Sequence, residues 1–372
     1  MRIAFDAKRA FNNTSGLGNY SRYTISSFCK SYPEHNCKLY TPSINNKIDY
    51  QSPENADIEL PGGFFSRQFK SYWRSVSLKT RLKKDNIDLY HGLSNELPLG
   101  IAQSGIKSVV TVHDLIFMRL PEMYKSFDRK VYLKKTRNAL IEADQIIAIS
   151  QQTKDDMVEL LGADNKKINI IFQDCHPWFY DAFDEHRLSQ VKEKYQLPGQ
   201  YLLYVGTIEK RKNLLKIIQA LHKGKIDIPL VAVGRKTDYM NDINQYIQAN
   251  NIENIKFIHY IPNHDLPAVY QMAHAFIYPS AYEGFGIPVL EALNSRLPVV
   301  TSRGGCLEET AGPGGLLVDP EDTEEMIASI KKVIEDYDLR LRLTIEGQKH
   351  ALRFRPEHTI PQLFEVYNKC LQ

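Results

Sequence analysis

Ala275-Phe276-Ile277-Tyr278-Pro279-Ser280-Ala281-Tyr282-Glu283-Gly284-Phe285-Gly286-Ile287-Pro288-Val289-Leu290-Glu291-Ala292 passes from a short apolar run, through a glycine-containing loop, into a helix opened by proline. The first four residues have the length and composition of a strand buried on both faces. Pro288 suits a first helical turn, where its missing N–H would have no partner in any case. Gly284 and Gly286 let the loop backbone approach a ligand closely. Strand, tight loop and helix in this order form half of a βαβ unit, and the same rhythm recurs along the chain.

Outward from this stretch, the strand-length runs fall into two series. Tyr201–Val205, Leu230–Val233, Ile255–Ile258, Pro298–Thr301 and Gly315–Val318 accompany Ala275–Tyr278 in the second half. Arg2–Phe5, Lys38–Tyr40, Leu89–Tyr90, Ser108–Val112, Gln145–Ile149 and Ile168–Phe172 make the first. Between them, Gln173 to Pro198 carries charges and Pro177 but no strand signal, so a boundary is expected between about Asp174 and Gln200. The class is α/β, with a doubly wound parallel sheet in each half. A length of 372 residues fits two cores better than one.

Composition narrows the function. Apolar content of 43% with 24% charged residues is that of a soluble globular protein, and a net charge of +3 is too small to suggest a nucleic-acid binder. The five cysteines are scattered, with no C-x-x-C pair to suggest zinc or redox chemistry, and fit a reducing compartment. Met1 to Asp6 reads as a first strand rather than a secretory leader. No apolar run approaches the roughly 20 residues needed to span a bilayer. A cytoplasmic protein is expected, with contact at the inner face of the cytoplasmic membrane left open.

Open α/β sheets bind ligands at the carboxyl ends of their strands, so the residues there carry the chemical reading. Backbone amides near Phe285, Gly286 and Ile287, at a helix start, suit a diphosphate. Glu291 leans back toward the helix start and toward Glu283, and a carboxylate can accept from two neighbouring hydroxyls, as in a ribose diol or a sugar. The plainer alternative is one glutamate favouring its helix dipole and another in solvent. After Tyr201–Val205 comes Gly206-Thr207-Ile208-Glu209-Lys210-Arg211-Lys212-Asn213, where Arg211 and Lys212 can neutralise phosphate or simply face water. Gly16-Leu17-Gly18 lacks the third glycine of a dinucleotide fingerprint, so a nicotinamide site is not expected, although backbone approach to a phosphate remains open. His113 and His91 follow strands, where a histidine is more often a hydrogen-bonded structural residue, although histidine also serves in catalytic clefts.

Phe64 to Lys84 holds seven basic residues (Arg67, Lys70, Arg74, Lys79, Arg81, Lys83, Lys84) and no acidic one. Drawn as one helix, Phe65, Phe69, Tyr72, Trp73 and Val76 share a face and Arg67, Lys70, Arg74 and Arg81 another. Arg67, Lys70, Trp73 and Arg74 are therefore candidates to meet anionic lipid or an acceptor. An ordinary surface helix with its aromatic side packed inward fits as well.

Together these segments resemble the retaining, two-domain GT-B glycosyltransferases of family 4, with bacterial α-mannosyltransferases of surface-polysaccharide synthesis nearest in look. The likeness rests on Ser15 to Ser21, Asp88 to Gly92, Thr111 to Asp114, Pro121 to Tyr124, Gly206 to Asn213, Gly314 to Pro320 and the Glu-x7-Glu pair of Glu283 and Glu291. It implies two Rossmann-like domains facing a central cleft: residues 1–180 for the acceptor and 181–356 for the nucleotide-sugar donor, with a C-terminal helix, 357–372, crossing back to the first. It implies that Glu283, His113, Lys212 and Arg211 act at the reacting centre. Donor contacts are implied at Gly16, Gly18, Gly206, Thr207, Arg211, Lys212, Ile261, Asn263, Glu283, Gly284, Phe285, Gly286, Ile287 and Glu291. No metal or cofactor is expected. The implied reaction moves a hexose, mannose from GDP-mannose first, to a glycan or lipid-linked acceptor. A nucleotide-sugar epimerase, a phosphorylase and a catalytically silent binding partner are the alternatives. Two departures stand out: Thr207 and Asn213 occupy positions where many members carry arginine and glycine.

Overall fold

The computed structural model describes residues 1–63 and 68–372. The chain forms two units, Met1–Asp174 with Phe354–Gln372, and Cys175–Arg353. In unit 1 the described strands are β1 (Arg2–Asp6), β2 (Asn36–Tyr40), β3 (Ala56–Glu59), β4 (Leu89–Gly92), β5 (Lys107–Val112), β6 (Gln145–Ala148) and β7 (Ile168–Ile170). They lie in the order β3-β2-β1-β4-β5-β6-β7, every pairing parallel. Unit 2 holds β8 (Leu202–Val205), β9 (Leu230–Val233), β10 (Ile255–Ile258), β11 (Ala275–Tyr278), β12 (Val299–Ser302) and β13 (Gly315–Val318). Their order is β10-β9-β8-β11-β12-β13, again all parallel.

Strand order reverses at β1/β4 in unit 1 and at β8/β11 in unit 2. These are the points at which open sheets take ligands, and the loops after β1, β8 and β11 all begin there. The central strands are sealed on both faces, with Leu202, Leu203, Tyr204, Phe276, Ile277, Val299 and Val300 fully buried. That explains their unbroken apolar sequence. Strand β3 escaped the sequence reading because Ala-Asp-Ile-Glu is a sheet edge, where Asp57 and Ile58 are exposed and the apolar run is absent.

The C-terminal helix, Pro356–Leu371, belongs to unit 1. Its Tyr367 is fully buried, packs 5.2 Å from the Phe28 ring and shares a 2.6 Å hydrogen bond with His91 Nδ1. Thr359 on the same helix bonds the Tyr23 hydroxyl of α2 (Gly16–Ser31) at 2.7 Å. A tail that sealed only itself would not need these polar anchors.

The basic stretch before Lys84 differs from expectation. A short helix, Lys70–Tyr72, passes into a π-turn, Trp73–Ser77, and then a helix, Leu78–Lys84. The wider turn adds a residue to the helical circuit, so a wheel drawn at 3.6 residues per turn misassigns the faces. Trp73 is buried in the core of unit 1, away from any membrane. Arg74 is also buried, paired with Asp6 at the end of β1 and, through Nη1, with Glu96 Oε2 at 2.5 Å. Neither therefore presents its side chain to a membrane surface. Phe69, Lys70 and Tyr72 do lie at the surface, and Arg67 falls outside the described residues.

Candidate functional site

The loop after β8 is shaped by two backbone requirements. A Cβ on Gly234 would sit 1.8 Å from the Gly206 carbonyl oxygen, so the ends of β8 and β9 meet without side-chain room. The 3₁₀ turn Lys210–Lys212 then ends at Asn213, whose φ of 56° is left-handed. Glycine meets that demand without cost and asparagine tolerates it, which accounts for Asn213 at a position often held by glycine. Its side chain adds a 2.9 Å bond to the Pro279 carbonyl, tying this loop to the one after β11.

That tie brings Arg211 and Lys212 to Glu283. Arg211 Nη1 lies 2.7 Å from Glu283 Oε2 and also donates to the Tyr282 carbonyl, while Nη2 bonds Glu209 Oε1 at 2.6 Å. The Tyr278 hydroxyl and Ser280 Oγ donate to Glu283 Oε1 at 2.8 and 3.0 Å. Lys212 Nζ stands 3.9 Å from both Glu209 and Glu283 carboxylates and over the Tyr278 ring. Burial opposes the charge on Glu283, but Lys212 and Arg211 outweigh it and hold the carboxyl below its ordinary range. Burial likewise opposes the Arg211 charge, and Glu283 and Glu209 raise its pKa above the usual value. Arg211 is thus engaged by carboxylates on two sides. Lys212 is the cation of the pair with its donors held at longer range.

Glu291, on the helix Ile287–Asn294, accepts a 2.9 Å bond from the Tyr270 hydroxyl. Burial raises its pKa to about 7 against the opposing effect of the Tyr270 hydrogen bond, with no ion pair to a cation among the described residues. The two glutamates therefore differ in kind, Glu283 a fixed anion and Glu291 a group that exchanges its proton near neutrality. Gly286 precedes the helix, and a Cβ there would press to 3.1 Å on Leu307 and Thr310. Gly284 and Phe285 are buried, Ile287 and Thr207 partly so. After β10, Ile261 is buried and Asn263 exposed. Glu209, Tyr278, Ser280 and Tyr270 were not singled out from sequence. A tyrosine closing β11 and a serine two residues on were the signals available.

In unit 1, His113 is buried after β5, with Nε2 2.8 Å from the Leu93 carbonyl and its ring edge-on to Tyr20 at 4.7 Å. Burial lowers its pKa to about 4, so the ring is neutral at physiological pH and serves as a hydrogen-bonding rather than a charged group. His91 is held between Tyr367 and Thr111, a structural setting, and burial takes its pKa to about 3. A Cβ on Gly18 would lie 1.9 Å from the Asn13 carbonyl oxygen, giving that glycine a packing reason. Gly16 is exposed at the start of α2. Among the described residues no cluster of three or more His, Cys, Asp or Glu is arranged to hold a metal ion.

Two all-parallel Rossmann-like units align with solved glycosyltransferases of the GT-B type. HepE of Anabaena, solved in complex with UDP and glucose, aligns over 99% of this chain and 100% of its own with a TM-score of 0.75 at 18% identity. In sequence, O-antigen chain mannosyltransferase B of Escherichia coli is 29% identical over 99% of both chains. O-antigen chain mannosyltransferase RfbU of Salmonella typhimurium is 28% identical over 71% of this chain and 69% of its own. Fold and relatives define the class, a glycosyltransferase of the GT-B type. Residues 15–172 match the profile described as Glycosyltransferase Family 4 and residues 188–350 that of Glycosyl transferases group 1, with the Arg211–Glu283 site inside the second. The chain belongs to this family of glycosyl transferases, group 1.

Proposed function

We propose that the protein is a retaining hexosyltransferase that moves mannose from GDP-mannose to a hydroxyl of a glycan or lipid-linked acceptor in surface-polysaccharide synthesis. The observation that carries the reading is the Arg211–Glu283 pair with Lys212 beside it, at the carboxyl ends of β8 and β11. As the anomeric C–O bond breaks, negative charge grows on the leaving diphosphate. Lys212, less tightly paired than Arg211, meets that charge, and Arg211 fixes Glu283 against the donor sugar. Glu291 accepts from the ribose hydroxyls. The acceptor hydroxyl attacks the face from which the diphosphate departs and passes its proton to the leaving phosphate oxygen. Side-chain cations supply the charge stabilisation, so activity should persist in a chelator. The mannosyltransferase names of the two Enterobacteria relatives support the donor sugar and the polysaccharide setting.

A thermal-shift panel of nucleotides and nucleotide sugars tests the donor, since the correct one stabilises by mass action. GDP-mannose should give the largest shift. A larger shift with a UDP- or dTDP-sugar overturns that choice, and an inverted anomeric configuration in the product, read by NMR, overturns retention.

Peripheral contact with an anionic membrane is part of the same proposal, carried by the helix Ser126–Glu142. Phe127 and Ile141 are 76% and 78% exposed, and at 100° per residue Lys130, Lys134 and Arg137 fall on the same face. Apolar residues embedded in a basic stripe match a lipid surface of negative charge. No described helix is long and apolar enough to cross a membrane.

A further inference from the structure

The charges around the carboxyl end of β1 do not balance. Asp6 ends that strand and Glu96 follows β4. Arg74 pairs with both carboxylates, and Lys135 Nζ lies 3.1 Å from the other oxygen of Glu96. Two carboxylates are thus matched by two cations. Lys8 and Arg9, the first residues of α1 (Lys8–Asn12), are left over. Both are half-buried, and among the described residues no ion pair or hydrogen bond ends on Lys8 Nζ or on the Arg9 guanidinium. The Arg9 Nε atom is itself buried without an acceptor. A buried N–H in that state calls for a partner. Close by, Arg22 is held by the Ala10 and Asn13 carbonyls at 2.8 and 2.9 Å and by Asn19 Oδ1 at 2.6 Å, so it brings a third positive charge and no carboxylate.

The electrostatic consequences are visible on the neighbours. Burial, then the Arg74 and Arg9 charges, lower the Lys8 pKa despite Asp6 and Glu96. The Arg9 charge also adds to the burial that lowers His113. The cluster stands where strand order in unit 1 reverses, between β1 and β4, the place at which such sheets take ligands. Unit 2 has its own cations for a donor diphosphate in Arg211 and Lys212. A second set of unmatched cations in unit 1 calls for a second anion.

We propose that Lys8 and Arg9 form an anion subsite in unit 1 that takes a phosphate or diphosphate group carried by the acceptor. Arginine supplies a planar fork for two phosphate oxygens and lysine a point charge beside it. The word acceptor rests on the glycosyltransferase reading; the anion subsite itself does not.

Calorimetric titration of the full-length protein with inorganic pyrophosphate tests it, comparing wild type, K8Q/R9Q and K212Q. Wild type should bind at two sites, K8Q/R9Q should lose one, K212Q should keep that one, and K8R/R9K should retain both. If the double variant does not fold, Lys8→Gln and Arg9→Gln singly should each weaken the site at least fivefold. Wild-type stoichiometry and affinity in K8Q/R9Q, or in both single variants, would overturn the proposal. A short-chain prenyl diphosphate in detergent separates the sources. Binding at least tenfold tighter than pyrophosphate, lost in K8Q/R9Q, supports a lipid-linked acceptor, and equal affinity lost in the same variant supports a soluble phosphorylated one. Failure here would leave the donor panel unchanged, so the two readings fail separately.

Discussion

Arg211 and Glu283 face each other at 2.7 Å with side chains only 10% and 12% exposed, although they stand on loops after different strands. Removing one member of such a pair strands the other without its counter-charge, at about 3–5 kcal/mol. Arg211→Gln and Glu283→Gln should each lower unfolding stability by an amount in that range. The double variant should cost clearly less than the sum, measured by denaturant unfolding. Additive losses would show that the pair is not coupled.

Lys212 sits 3.9 Å from its nearest carboxylates rather than in hydrogen-bond contact. Lys212→Ala should therefore reduce turnover about 10²–10³-fold, as for loss of one transition-state charge partner, while the melting temperature stays near wild type. A large drop in stability with turnover intact would reverse the roles assigned to Lys212 and Arg211.

Glu291 has a pKa raised to about 7 from an ordinary 4.5. Between those values the folded protein keeps a proton that the unfolded chain has released, so stability falls as pH rises through that window and is highest below it. At about 1.4 kcal/mol per unit of pKa, the loss should be on the order of 3 kcal/mol. Glu291→Gln, which cannot ionise, should flatten this dependence between pH 4.5 and 7.5. An unchanged slope in the variant would assign the effect elsewhere.

Arg74 is buried with Asp6 and Glu96. Arg74→Ala should destabilise by about 3–5 kcal/mol and leave vesicle binding of the folded protein unchanged. Lys70→Ala, at an exposed residue with no ion pair among the described residues, should leave stability within about 0.5 kcal/mol.

The helix Ser126–Glu142 should carry adsorption to vesicles containing phosphatidylglycerol. Phe127→Ser with Ile141→Ser, or Lys130→Glu with Lys134→Glu, should reduce co-sedimentation at least tenfold, and added salt should weaken wild-type binding. Equal sedimentation of all three proteins would refute this contact surface.

Most of the strands were legible because central parallel strands must be apolar on both faces, and Leu230–Val233, Ile255–Ile258 and Ala275–Tyr278 match their sequence bounds. The two glutamates and the two cations were legible too, since a strand-to-helix turn puts them at a ligand-binding edge. Tyr270 was not, because its role depends on Glu291, 21 positions away. Arg74 misled for a related reason. Its basic neighbours suggested a surface, while Asp6, 68 positions earlier, draws it into the core.

The sequence by itself determined the α/β class, the two series of strands and the loops that bear the site, because those follow from periodicity and from backbone needs such as the proline-opened helix after Gly284 and Gly286. Only the tertiary structure decided the ionic state of the site. Glu283 stays an anion beside Arg211, and Glu291, through burial, holds its proton to about pH 7. A residue's type is a property of the chain. Its charge is set by what folding brings next to it and by how much water it excludes.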